Sequence, residues 1–160
     1  MDIILQNETD AQDVEVLLDL AFGPNRHEKP AYAYRENVPA IKELSFVIYE
    51  DGHIIATLRF WPVKIGGKDC LLLGPIAVLP NLQGKGYGIA LMKHGLAKAK
   101  ELGHTRVILV GDEPYYSRVG FSRDIARNIT IKGQKDESRI LAHELLNGSF
   151  RNVFGEMTKV

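Results

Sequence analysis

The sequence predicts a single α/β domain of the mixed-sheet (α+β) kind over residues 1–160. The expected order is an antiparallel N-terminal meander, a central β-α-β crossover and antiparallel strands at the C-terminal end. Three observations carry this. Strand-like runs flank Asp51-Gly52 and Gly66-Gly67, both of which are reversal signals. A glycine-rich turn, "LQGKGYG", opens an amphipathic helical run. That run leads into "TRVILV", an unbroken apolar stretch of the kind found in strands covered on both faces.

Each element follows from a local pattern. Residues 2–6 read as a short first strand. In "ETDAQDVEVLLDLAFG", Thr9 and Gln12 have capping-box spacing, and Val14, Leu17, Leu18 and Ala21 recur at helical spacing. Gly23-Pro24 stops that helix. "GPNRHEKPAYAYRENVP" is polar, aromatic and irregular, so a loop with a short helix ending before Pro39 is expected. Three antiparallel strands then fill residues 44–78, the third ending at Pro80. The next helix buries Ile89, Met92, Leu96 and Ala99, and Gly103 fits its C-terminal cap. Strand, helix and strand at this spacing form one right-handed crossover. "DEPYYSRVGF" reads as a short helix running into a strand. "NITIKG" and "RILAHELL" alternate weakly, and the last fifteen residues carry no clear pattern.

Composition narrows the function. The chain has 20 Lys and Arg against 20 Asp and Glu, for a formal charge of zero. A nucleic-acid binder normally carries a basic excess, so no nucleic-acid partner is expected. The single cysteine, Cys70, excludes an intrachain disulfide and a multi-cysteine metal site, and its apolar surroundings suggest an inert buried thiol. The five histidines lack metal-ligand spacing, so no metal is expected. No window approaches a membrane span, and the N-terminus lacks the basic start and apolar core of a signal peptide. A cytoplasmic protein without membrane association is the expectation.

Gly84, Gly86 and Gly88 alternate just before the helix. A helix N-terminus offers unpaired N–H donors and the positive end of a dipole. Glycines in the preceding turn let successive amides converge on phosphate oxygens, with Lys85 adding charge at the rim. The plainer reading is a tight strand-to-helix turn. A P-loop is excluded because no Gly-Lys-Ser/Thr closes the stretch. A dinucleotide turn would need a small residue where Ile89 stands, and the antiparallel meander argues against it.

Read as Gln83-x-x-Gly86-x-Gly88, the stretch resembles the pyrophosphate-binding motif of the GNAT superfamily of acyl-CoA-dependent N-acyltransferases. "LGPIAVLPNLQGKGYG" is similar to that family's fourth strand with its signature loop and helix. "YYSRVGF" resembles its second signature, a Tyr four residues before Gly-Phe. The resemblance spans nearly the whole chain and implies a GNAT-like fold, with acetyl-CoA as co-substrate and no metal.

It also implies roles. The sheet would splay between the strand ending at Val78 and "TRVILV", with Gly74-Pro75 as a bulge just before. Backbone groups of Ile76, Ala77 and Val78 would pair with pantetheine. Amides of Gly84, Lys85, Gly86, Tyr87, Gly88 and Ile89 would hold the pyrophosphate, with Gln83 at the loop entrance. A backbone N–H near Val78 would stabilise the oxyanion. Tyr116 is the proposed acid for the departing thiolate, with Tyr115 as its rival. Arg118 would reach a CoA phosphate or form a surface ion pair. The base is open: the strand before the glycine loop has no carboxylate, leaving Asp112, Glu113 and His27. The acceptor is a small-molecule or peptide amine, met by residues 23–38 and the 132–138 turn. The family often pairs through its C-terminal strands, which makes a homodimer compatible. The rival from another class is a non-catalytic CoA-binding or regulatory module on the same fold.

Overall fold

The computed structural model describes residues 1–160. The strands are β1 (Asp2–Leu5), β2 (Ser45–Glu50), β3 (His53–Ile65), β4 (Lys68–Val78), β5 (Arg106–Val110), β6 (Ile129–Thr130), β7 (Ile140–Glu144) and β8 (Gly155–Lys159). The helices are α1 (Ala11–Phe22), α2 (Tyr87–Glu101) and α3 (Glu113–Tyr116), joined by short 3-10 turns. The strands run β1-β2-β3-β4-β5-β7, and β8 pairs with both the far end of β3 and β6. Antiparallel pairing links β1 through β4, the β4–β5 pair is parallel, and β7 returns antiparallel to β5. This is the predicted mixed sheet with its central crossover.

Side-chain alternation explains the unbroken apolar runs. Leu71, Leu73, Val107 and Leu109 pack with Leu91, Met92 and Leu96 of α2 on one face. Their neighbours Cys70, Leu72 and Ile108 enter a second cluster with Ile129, Ile140 and Met157 on the other. A third cluster docks Val14, Leu17 and Leu18 of α1 on Val47, Ile54 and Ala77. Burial pushes the Cys70 thiol far above its ordinary range, so it stays protonated and inert.

Helix α2 approaches the sheet closely because position 95 is glycine. A methyl there would stand 2.7 Å from the Phe60 ring and 3.1 Å from Leu58. Gly95→Ala is therefore expected to lower stability by about 1–3 kcal/mol, read as a fall in Tm. The other end of α2 is closed as predicted: Gly103 is left-handed, and His104 donates to the Ala99 carbonyl at 3.0 Å.

Four details differ from the sequence reading. The capping box is Asn7 with Asp10, not Thr9 with Gln12, and it opens a 3-10 turn before α1. Asn7 accepts from the Thr9 amide while Asp10 accepts from the Asn7 amide, so the chain turns two residues earlier. After "DEPYYSRVGF" only a single bridge forms, Ser122 to Ala142, rather than a strand. The pairing of β6 with β8 is parallel, not antiparallel. Ile89 is half-buried, while Leu91 and Gly95 complete the inner face of α2.

Candidate active site

The site lies where β4 and β5 part. Their parallel pairing is confined to Leu71↔Val107 and Leu72↔Ile108, after which the two strands separate. A bulge marks the departure: Gly74 and Pro75 together oppose Arg59, between the pairs Phe60↔Leu73 and Leu58↔Ile76. Proline suits this place because it has no N–H to leave unpaired. Trp61 fixes the bulge: its Nε1 donates to the Gly74 carbonyl at 2.5 Å.

Beyond the bulge, Leu79 donates to Ile55 across β3 at 2.9 Å. Backbone groups alternate along a strand, so Ile76 and Val78 turn their N–H and C=O toward the gap left by β5. The Val78 carbonyl accepts from Gln83 Nε2 at 3.3 Å, which ties the glycine loop to the strand.

The glycine turn presents free donors. Gly84 and Gly86 have φ of 80° and 91°, and Gly86 is the left-handed N-cap of α2. The first helical bond runs from the Ala90 amide, and no amide from Gly84 to Ile89 donates to another backbone group. Gly88 serves a different purpose. A methyl there would stand 2.7 Å from the Tyr115 hydroxyl, so the glycine lets that phenol lie over the helix start. Arg118 lies 5.7 Å from the Tyr115 ring centre and forms no ion pair, which leaves its charge available. These residues and Ile76–Val78 line a cavity of about 380 Å³.

A second cavity of about 340 Å³ opens on the other side. Its walls come from the irregular segment after α1 (Arg26, Lys29, Tyr32, Arg35), the bulge, and Gln134 and Arg139. This is where the sequence placed acceptor contacts. Tyr34, however, is turned into the second core, 8% exposed, and makes no part of the cavity wall. The two cavities share Phe22, Ile76 and Tyr116.

Tyr116 is held at this junction by Gly111, where any methyl would overlap its ring. Burial pushes its phenol up to about 12, with Tyr115 and Asp112 adding to the effect. Tyr115 lines the glycine-turn cavity alone and is more exposed. Gly111 has no positive φ, so Gly111→Ala changes only the space Tyr116 occupies. It is expected to lower kcat about tenfold or more, with acetyl-CoA affinity little changed, as measured by steady-state rates beside calorimetry.

The carboxylates considered as bases lie elsewhere. Asp112 is 72% exposed and pairs with Arg139 at 2.5 Å; it occupies the N-cap position of α3 without making a capping bond. Glu113 accepts from the Arg123 amide at 2.7 Å. His27 is exposed, its ring 4.3 Å from that of Tyr32. The second cavity has no carboxylate or imidazole in its wall.

A sequence profile described as "Acetyltransferase (GNAT) family" matches residues 11–121, most of the chain, including the bulge, the glycine turn and Tyr116. The chain belongs to the GNAT acetyltransferase family. Among GNAT proteins it is 29% identical over 149 residues to the uncharacterized N-acetyltransferase YhbS of Escherichia coli K12, covering 91% of this chain and 88% of that one. The crystal structure of Escherichia coli YhbS in complex with CoA has a TM-score of 0.84 at 26% identity, covering 99% of this chain and 89% of the other. A GNAT acetyltransferase from Brucella melitensis, solved with acetyl-CoA, has a TM-score of 0.64 at 34% identity, covering 76% and 82%. No helix of the chain is long and apolar enough to cross a membrane.

Proposed function

We propose that the protein is an acetyl-CoA-dependent N-acetyltransferase in which a primary amine attacks the thioester directly. The observation that carries this is the meeting of two cavities at Ile76 and Tyr116. One has the free amides and the gap-facing strand edge that suit a pyrophosphate and a pantetheine arm. The other opens toward the irregular loop and receives the acceptor. CoA-bound relatives support the same use of the first cavity.

In the reaction the amine nitrogen bonds to the acetyl carbonyl carbon, the C–S bond breaks, and the proton lost by nitrogen ends on the CoA sulfur. The oxyanion needs a donor at the junction. Val78 faces the gap, but it lines only the CoA side, whereas Ile76 borders both cavities; the Ile76 N–H is therefore assigned this role. Tyr116 faces the departing sulfur. A phenol near 12 is a weaker acid than an alkyl thiol, about 8.5 for free cysteine, so it does not fully protonate the thiolate. It acts instead as a hydrogen-bond donor while charge develops on sulfur. Arg118, Lys85 and the 84–89 amides hold the phosphates, with Tyr115 above them.

With no acidic or imidazole side chain in the acceptor cavity, no protein base is assigned there. Its unpaired cations, Lys29 and Arg35, instead disfavour an ammonium and lower the pKa of a bound amine. The expected pH profile follows. Raising pH frees the amine, so kcat/KM climbs until the amine pKa is passed. Tyr116 keeps its proton below about pH 11, so it adds no falling alkaline limb there. A falling limb of kcat at saturating acceptor, centred between about pH 8 and 9 without loss of fold, would count against Tyr116 as the donor.

Amine-dependent release of CoA thiol from acetyl-CoA, over a panel of primary amines, tests the assignment. A non-catalytic CoA-binding module would bind acetyl-CoA and release no thiol with any of them.

A further inference from the structure

Resting on the acetyltransferase reading, we infer that the acceptor carries a carboxylate close to its amine, and that Arg35 in the acceptor-cavity wall binds that carboxylate. Three arginines crowd this side of the site: Arg26, Arg35 and Arg59. Arg26 is buried and paired with both Glu15 and Asp19, the latter at 2.9 Å. Arg59 lies 3.6 Å from Glu15 and donates to Gln6 at 3.1 Å. Glu15 and Asp19 are thus taken, and Glu36, which lines the same pocket, pairs with none of the three. Arg35 has no carboxylate partner: it forms no ion pair, and its Nε is buried without a hydrogen-bond partner.

A half-buried guanidinium with a buried, unpartnered Nε and no anion is an unfavourable arrangement unless something binds it. Desolvation pulls its pKa down to about 10; the Tyr32 ring 5.9 Å away opposes this, while Arg59 and Arg26 reinforce it. It remains charged at neutral pH. A planar fork of donors in a partly dry wall suits a carboxylate, which accepts two parallel hydrogen bonds.

Its location relates the carboxylate to the chemistry. Arg35 Nη2 lies against Gly74, close enough that a methyl there would stand 2.7 Å from it. Gly74 precedes Ile76 by two residues across the bulge, a span of at most about 7 Å. An α-amino acid covers about 2.5 Å from nitrogen to carboxyl carbon, and a charge-assisted hydrogen bond adds about 3 Å. A short amino acid, or the chain end of a small peptide-like molecule, therefore spans from Arg35 to the thioester. The same cavity is a poor host for a polyamine, whose several positive charges would meet the unpaired Arg35 and Lys29.

The test uses the intact protein saturated with CoA and titrated with a panel of N-acetyl amino acids, each beside its primary amide. These are product analogues, so the reading does not depend on turnover. The acids are expected to bind at least about tenfold more tightly than their amides. Arg35→Gln should remove that preference, losing about 10–100-fold on the acids and little on the amides. Arg35→Lys, which keeps the charge without the fork, should fall between. Acetyl-CoA binding by each variant verifies that it is folded. Equal binding of acids and amides, binding of no acid in the panel, or a preference that survives Arg35→Gln would overturn the inference. Failure to bind CoA at all would instead remove the acetyltransferase reading beneath it.

Discussion

Tyr116→Phe is expected to lower kcat by about 100-fold while leaving acetyl-CoA affinity nearly unchanged. Tyr116 is the polar side chain common to both cavities, and no hydrogen bond within the protein occupies its hydroxyl. Gly111 holds its ring from behind, and burial keeps the phenol protonated. Removing the oxygen leaves the ring packed against Phe121 and takes away only the donor. Tyr115→Phe is the control that separates neighbours, since Tyr115 borders the CoA cavity alone and should affect KM for acetyl-CoA more than kcat. Steady-state rates with a good acceptor decide between them. A Tyr116→Phe enzyme as fast as the wild type would end the assignment.

Gly86→Val should weaken acetyl-CoA binding by about 100-fold or more. Gly86 has φ of 91°, a conformation that a β-branched residue takes only at a cost of about 1–2 kcal/mol. Nothing lies within 4 Å of the space its side chain would enter, so the fold tolerates the change apart from that strain. The ligand does not. The substitution turns the amides that open α2 away from their common focus and places methyl groups where phosphate oxygens would lie. One charge-assisted hydrogen bond contributes about 1.5–3 kcal/mol, so losing one or two accounts for the fall. Unchanged affinity in a folded Gly86→Val protein would mean that the glycines serve only the turn.

Much of this arrangement is legible in the residues because it depends on local chemistry. Asp51-Gly52 and Gly66-Gly67 define the meander, and Gly74-Pro75 marks the bulge where β4 leaves β5. The glycine turn and the YYSRVGF segment locate both sides of the CoA cavity. What is not legible depends on partners distant in sequence. Asp112 looks available until Arg139, 27 residues on, closes over it. Arg35 looks like any surface arginine, and only the fold reveals that Arg26 and Arg59 have taken Glu15 and Asp19. The bond from Trp61 to the Gly74 carbonyl leaves no local pattern because it crosses from β3 to β4. Strand β8 escapes detection because it lies at the sheet margin and buries only Met157, leaving no alternation to read.

The proposed activity depends on the gap between β4 and β5, with the glycine turn at its mouth, being an acyl-CoA site. Calorimetric titration of the wild-type protein with acetyl-CoA, with NAD as the control nucleotide, is the decisive measurement. One-to-one binding of acetyl-CoA in the micromolar range, and no heat from NAD, is the expected result. Absence of acetyl-CoA binding by the folded protein, or equal binding of NAD, would contradict it.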